Sequence, residues 1–181
     1  MTEKPYAAKS FGEAISKFAK DSRAKTYRKN FVANAILPNK IFKRINKYSK
    51  ITLLDFGCGK DAYWAKEFRR ELSVHCDGLD LDCNSSVGAP RLERYDIVFA
   101  SNVLNVQETE EQLEETIKQI VTFCKNRGNF EWNYPDSPRK LNLDNKGMVE
   151  KIKDVIWQMG YDCHTYQTEG KNCFCTIVKK Y

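Results

Sequence analysis

The sequence predicts an α/β fold with a Rossmann-like, mostly parallel sheet and helices on both faces. Residues 53–56 form a buried hydrophobic run, which is followed by two glycines one residue apart and by an amphipathic stretch up to residue 68. A second hydrophobic run, residues 74–82, also ends in carboxylates. A glycine turn between a strand and a helix, with an acid at the tip of the next strand, is typical of the nucleotide-binding half of such a sheet.

The glycine turn and the second acid together predict a nucleoside ligand. Gly57 and Gly59 have no Cβ, so the chain can turn sharply there and a ligand can lie against the main chain. Asp80, at the carboxyl end of the second strand, can accept hydrogen bonds from both hydroxyls of a ribose. We therefore expect an adenosine-containing cofactor.

The chemistry of the turn indicates which cofactor this is. A dinucleotide site needs G-x-G-x-x-G so that a pyrophosphate can sit on the helix N-terminus, but Ala62 occupies the third glycine position. Asp55 and Asp61 would repel a pyrophosphate and favour a cation. A nicotinamide enzyme is therefore the less favoured alternative.

Three segments resemble motifs of the class I S-adenosylmethionine-dependent methyltransferases. They are Asp55-Phe56-Gly57-Cys58-Gly59, Gly78-Leu79-Asp80 and the run YDIVFASNVLNV at residues 95–106, which are similar to the first, second and fourth motifs. The similarity covers roughly residues 50–181, although Asp61 stands where the family normally has a third glycine. The resemblance implies S-adenosyl-L-methionine as cofactor, S-adenosyl-L-homocysteine as product, and these cofactor-binding residues: Asp55, Phe56, Gly57, Cys58, Gly59, Asp80, Leu81, Ser101, Asn102 and Val103.

The middle of the sheet is expected to be shortened. Residues 83–94 separate the second strand from the next hydrophobic run, and they are too few for a helix, a strand and a second helix. The family's third strand should therefore be missing, and its adenine contact must come from elsewhere. The shortening and the V-L-N-V run are also similar to methyltransferases associated with DNA phosphorothioation.

The rest of the chain fits the second half of the same sheet. Gly128 and Gly160 are expected to end two helices, and the resemblance implies an antiparallel last strand. The pattern predicts strands at residues 95–100, 129–134, 161–168 and 173–179, a turn at residues 169–172, and helices at residues 108–126 and 145–159.

A basic N-terminal extension, residues 1–50, is expected to precede the methyltransferase-like domain, residues 51–181. The extension contains thirteen Lys or Arg and three acids. Apolar residues at helical spacing predict three short helices that pack on the core, with Pro38 ending the second. These apolar positions are Phe11, Ile15 and Phe18; Phe31, Ala35 and Ile36; and Ile41, Phe42, Ile45 and Tyr48. The outward residues predict contact with the phosphate backbone of DNA or RNA, and a solvated surface is the alternative; they are Lys17, Lys20, Arg23, Lys25, Arg28 and Lys29.

Several polar and aromatic residues are candidates for the methyl-acceptor site. Asn102, Asn105 and Asp136 are predicted to orient an amine or hydroxyl acceptor. Trp132 and Tyr134 can line a pocket for a stacked base, and Lys25 and Arg28 are the predicted substrate contacts of the extension. Residues 133–136 are similar to the N-P-P-Y loop of amino-methyltransferases, but the second residue is Tyr and the loop follows a different strand. An ordinary turn is the alternative.

The remaining composition predicts an intracellular, cytoplasmic protein without a metal. The seven cysteines contain no C-x-x-C, so we interpret them as core residues, including Cys173 and Cys175 on one strand face near His164. Cys124 has no partner base nearby in sequence, which disfavours cytosine C5 methylation. No apolar run is long enough to cross a membrane. Small-molecule or protein methylation, and an inactive binding module, stay open as alternatives.

Overall fold

The computed structural model describes residues 35–59, 61–80, 87–135, 140–167 and 172–179. Several predictions fall outside these ranges. They are the helices proposed before residue 35, the turn before residue 172, and the candidate residues Lys25, Arg28, Leu81 and Asp136.

One six-stranded sheet organises the described part of the chain. Its spatial order is β2-β1-β3-β4-β6-β5, in which β2, β1, β3 and β4 are parallel and β6 runs antiparallel to both β4 and β5. This confirms a mostly parallel sheet with an antiparallel end. The strands are β1 (Thr52–Phe56), β2 (His75–Leu79), β3 (Tyr95–Ala100), β4 (Cys124–Asn133), β5 (Tyr161–Gln167) and β6 (Asn172–Lys179).

Helices cover both faces of the sheet. Two of them, α1 (Ile36–Arg44) and α2 (Tyr63–Leu72), bury apolar side chains against one face of β1 and β3. The other two, α3 (Glu110–Phe123) and α4 (Asn145–Gln158), build the larger core on the opposite face. Because α1 shares a buried cluster with β1, residues 35–50 contribute to the core; the domain boundary at residue 50 stays a prediction. No helix within the described ranges is both long and apolar enough to span a membrane.

The family's third strand is missing from the described residues, as predicted, and β2 therefore forms the edge of their sheet. Val87 and Gly78 exchange two backbone hydrogen bonds at this edge, of 2.8 and 2.9 Å. Behind them the buried Asp77 carboxylate binds the Arg69 guanidinium at 2.5 Å and accepts a 2.6 Å hydrogen bond from the Tyr95 hydroxyl. These contacts fasten β2 where a neighbouring strand would otherwise hold it.

Pro38 does not end a helix, contrary to the prediction. It is the third residue of α1, where it is buried. A proline is tolerated in the first helical turn because the N–H groups there have no partner within the helix. The apolar stripe that follows is only partly confirmed, since Ile41 and Ile45 are buried while Tyr48 is 71% exposed.

The predicted end of the long helix was also wrong. α3 ends at Phe123, and β4 begins at the next residue because buried Cys124 pairs with Tyr95 of β3. The register then shifts, so that Asn129 is the next residue to pair, with Ile97. Gly128 lies in the resulting bulge, where a Cβ would come within 2.7 Å of the Tyr95 carbonyl oxygen. The glycine therefore permits a close backbone approach and does not cap the helix.

Candidate active site

The carboxyl ends of β1, β2, β3 and β4 meet at one edge of the sheet, and most predicted site residues gather there. In the parallel register, Phe56 lies beside Leu79, Asp55 beside Phe99, and Ala100 beside Trp132. The glycine turn, Asp80 and the residues after β3 therefore adjoin one another. Ligands of open α/β sheets bind at this edge.

The glycine turn after β1 is fastened to the end of β2. The Gly57 N–H donates to the Leu79 carbonyl at 2.8 Å, and the Gly59 N–H donates to the Asp80 carboxylate at 2.7 Å. Both glycines have positive φ, +77° and +70°. A Cβ on Gly57 would lie 2.5 Å from the Val103 side chain, whereas a Cβ on Gly59 would meet no atom within 4 Å. The turn is thus packed underneath at Gly57 and open at Gly59.

Two carboxyl groups, at the tips of β1 and β2, set the electrostatics of this half of the site. Asp55 is only 4% exposed. Burial, together with repulsion from Asp80, raises the pKa of Asp55 to about 8. Burial also raises the pKa of the adjacent Cys58 thiol, which stays protonated. Since a nearby positive charge would relieve the cost of ionising Asp55, the site favours a cation.

The half of the site on β3 and β4 is built from neutral amides. Asn102 follows β3 with a φ of +58°. Its backbone N–H donates to the side-chain oxygen of Asn133 at 2.6 Å, and the Asn133 amide nitrogen donates to the Asn102 side-chain oxygen at 2.8 Å. Val103 then reaches back to the glycine turn, so the two halves of the site are in contact.

A family model described as a methyltransferase domain matches residues 24–168, which is more than half of the chain. The chain belongs to this methyltransferase family. No curated protein matches it.

Solved methyltransferases share the fold of this domain. A Haloferax volcanii methyltransferase in complex with the Trm112 activator aligns over 92% of this chain and 98% of its own, at 11% identity and a TM-score of 0.58. A SAM-dependent methyltransferase from Aquifex aeolicus aligns over 92% and 96%, at 13% identity and a TM-score of 0.54. The small RNA methyltransferase HEN1 aligns over 80% of this chain and 25% of its own, at 14% identity and a TM-score of 0.54. The architecture is therefore that of a class I methyltransferase.

Some residues predicted to serve the methyl acceptor are buried in this methyltransferase domain. Asn105 is 1% exposed, Trp132 0% and Tyr134 1%, and both rings belong to the larger core. Neither ring presents a stacking surface in this structure. Phe56 is likewise buried, so it can meet a ligand only through its backbone. The roles assigned to these residues stay predictions.

Asn133 was not among the site residues that the sequence predicted. The pattern placed it in the strand 129–134 and in the segment similar to the N-P-P-Y loop; in the structure it is the last residue of β4 and bonds to Asn102. Its position could have indicated a role, because it is a polar residue at the carboxyl end of a predicted parallel strand and Asn102 follows the carboxyl end of the neighbouring strand. Among the described residues, no group of His, Cys, Asp or Glu is arranged to hold a metal ion.

Proposed function

We propose that this domain is an S-adenosylmethionine-dependent methyltransferase. The observation that carries the proposal is the buried Asp55 carboxylate beneath an open glycine turn, with Asp80 at the neighbouring strand tip. A buried acid with a raised pKa, next to open space, is a site for a positively charged group. The cofactor carries two such groups, a sulfonium and an ammonium.

The nucleoside part of the cofactor also fits the residues present. The Asp80 carboxylate accepts a hydrogen bond from the Gly59 N–H. A carboxylate offers acceptor positions for about four hydrogen bonds, and a ribose presents two hydroxyl donors to such a group. The open position at Gly59 lets a sugar approach the backbone. Asp80 would thus hold the glycine turn and the ribose at once.

Methyl transfer requires little covalent chemistry from the protein. The cofactor would supply a methyl group already activated by its sulfonium. Asp55, Asp80 and the open turn at Gly59 would hold the cofactor, and an amine or hydroxyl acceptor would give its proton to solvent. The chain's own contribution is alignment and electrostatics. Asn102 is a partly exposed polar residue at the β3 end, on the side of the site opposite the two carboxylates.

Nucleic acid is the acceptor class that the surface favours. Residues 35–54 contain five Lys or Arg and no acid. Lys47 lies over the ring of Tyr48 at 5.4 Å from its centroid, and that ring is 71% exposed. Arg44 is partly neutralised by Glu131, at 2.5 Å. Basic residues beside an exposed aromatic ring suit a phosphate backbone and a stacked base, and the predicted contacts Lys25 and Arg28 would extend this surface.

Titration calorimetry and a labelled methyl-transfer screen test the proposal together. S-adenosylmethionine and S-adenosylhomocysteine should both bind, and label should enter a DNA or RNA pool. Asp80→Asn should weaken both ligands about tenfold or more because the ribose loses charged hydrogen bonds. The matched control, Asp154→Asn, removes an exposed aspartate of α4 and should change neither result.

The alternative functions give different results in the same experiments. Label in a protein or small-molecule pool would reject nucleic acid and keep methyl transfer. Binding without label in any pool would indicate an inactive module. If neither ligand produced heat, the proposal would be refuted, and enhanced NADH fluorescence would then point to a nicotinamide site.

A further inference from the structure

Asn102 and Asn133 join the carboxyl ends of two adjacent parallel strands through a reciprocal pair of hydrogen bonds. Asn133 accepts from the Asn102 backbone N–H at 2.6 Å and donates to the Asn102 side-chain oxygen at 2.8 Å. Asn102 lies in the left-handed region, with φ +58°, which an L-residue adopts rarely and at some cost. The two bonds from Asn133 hold it there.

The backbone N–H fixes the orientation of both amides. A main-chain N–H can only donate, so it must face the Asn133 oxygen. The other end of that amide is then an NH₂ group, which can only donate, so Asn102 must turn its oxygen toward it. The Asn102 nitrogen consequently points away from Asn133. It donates to no other group within the described ranges, and Asn102 is partly exposed.

This orientation complements the acidic half of the site. The methionine part of the cofactor carries a carboxylate as well as an ammonium. Asp55 attracts the ammonium, and both Asp55 and Asp80 repel a carboxylate, which we therefore expect on the side of β3 and β4. A pair of neutral N–H donors is what a carboxylate needs there, and Val103 places Asn102 next to the glycine turn.

We propose that Asn133 is a positioning residue that turns the Asn102 amide nitrogen into the site, where it donates hydrogen bonds to the methionine carboxylate of the cofactor. This inference rests on the proposed function. It adds a specificity for ligands that carry the amino-acid part of the cofactor.

Asn133→Asp tests the inference because it keeps one bond and reverses the other. The new carboxylate still accepts from the Asn102 N–H, but it has no NH₂ to donate. The Asn102 amide should rotate, so that its nitrogen faces this carboxylate and its oxygen faces the ligand. S-adenosylhomocysteine should then bind about tenfold to a hundredfold more weakly. 5′-Methylthioadenosine, which lacks the amino-acid part, should bind within about twofold of wild type.

Asn102→Gly provides a second variant and completes a double-mutant cycle. Glycine accepts the positive φ, so the backbone can keep its course without the amide. This variant should weaken S-adenosylhomocysteine and spare 5′-methylthioadenosine. Adding Asn133→Asp to it should weaken S-adenosylhomocysteine by no more than about threefold, because only charge repulsion remains. In the single Asn133→Asp variant, the side-chain amide protons of Asn102 should shift and exchange more slowly by NMR.

Three results would overturn the inference. Equal weakening of both ligands would mean that Asn133 acts on the site as a whole. Equal effects of Asn133→Asp with and without the Asn102 side chain would mean that it acts independently. Unchanged S-adenosylhomocysteine affinity in both single variants would mean that neither amide faces the carboxylate. Failure of the wild-type protein to bind either ligand would instead refute the proposed function.

Discussion

Binding of S-adenosylhomocysteine should depend on pH through the buried Asp55. Its pKa is raised to about 8 in the ligand-free protein. At pH 7 such a group is protonated in roughly nine molecules of ten. A bound ammonium stabilises the carboxylate, so the carboxyl must lose its proton on binding. We expect roughly 0.9 proton to be released at pH 7, and the affinity to rise about ninefold from pH 6 to pH 7 and about fivefold from pH 7 to pH 8.

Above pH 8 the rise should level off because Asp55 is then already ionised before binding. The α-amino group of the ligand lies beside its own carboxylate, so its pKa is higher than that of a peptide N-terminus. The affinity should therefore fall only at a higher pH, where the free ligand loses its ammonium charge. S-adenosylmethionine keeps its sulfonium charge at every pH and should show the shallower decline.

Calorimetry in two buffers of different ionisation enthalpy measures the released proton directly. Asp55→Asn should bind more weakly, release no proton and lose the rise between pH 6 and pH 8. Asp154→Asn, on the exposed face of α4, should keep the wild-type profile. If the wild-type protein released no proton at pH 7, or if the affinity of Asp55→Asn still rose between pH 6 and pH 8, the cation would not be next to Asp55.

The raised pKa of Asp55 also makes the free energy of unfolding depend on pH. The folded pKa of Asp55 lies above the ordinary value of 3.8, so the folded state binds more protons than the unfolded state between these values. Asp55 therefore does not reduce the free energy of unfolding below about pH 4. The reduction grows as the pH rises to about 8, and above that pH it is at most ~6 kcal/mol. Asp55→Asn should raise the free energy of unfolding at pH 8 and leave it nearly unchanged at pH 3.5, as measured by urea titration at both values.

Three further variants test the packing around the site. Gly57→Ala should lower the free energy of unfolding by ~2–4 kcal/mol, because it combines a positive φ with a 2.5 Å overlap. Gly59→Ala should lower the free energy of unfolding by only ~1–2 kcal/mol. It should weaken the binding of S-adenosylhomocysteine more than tenfold, since its methyl group fills open space. An affinity equal to that of the wild type would show that no ligand lies there. Arg69→Ala should lower the free energy of unfolding by ~3 kcal/mol because the buried Asp77 carboxylate loses its guanidinium and keeps only Tyr95 and His75, and Arg70→Ala, with its exposed ion pairs, should lower it by less than ~1 kcal/mol. Similar urea midpoints for the two arginine variants would contradict this account of the edge.

The sequence predicted the first half of the fold well because the determinants there are local. A strand, a glycine turn and a helix follow one another within residues 52–72, and the acid of the next strand tip comes soon after. The missing strand was also predictable, since it depended only on the length of residues 83–94. Both inferences needed spacing and residue type and no knowledge of distant contacts.

The errors arose where distant contacts decide the local structure. Helical periodicity continues past Phe123, but pairing of Cys124 with Tyr95 draws the chain into β4 at once. Trp132 and Tyr134 belong to the core with α3 and α4, a burial that the sequence did not indicate, and their role at a pocket stays a prediction. Asn133 could not be assigned because its role depends on the register that brings it beside Asn102. In each case the deciding partner lies many residues away in sequence.

The absence of a third strand from the described residues bears on how the site is held. In a complete sheet, β2 would be flanked on both sides, and the carboxylate at its tip would be fixed by two neighbours. Here the outer side of β2 carries the Val87 bridge and the Arg69–Asp77 ion pair, and Tyr95 of β3 bonds to Asp77 from the inner side of the sheet. Asp77 lies on β2 three residues before Asp80, so these contacts anchor the strand that carries the predicted ribose ligand. We expect a weaker edge to let Asp80 move relative to Gly59, so that loss of these edge contacts would reduce ligand affinity as well as stability.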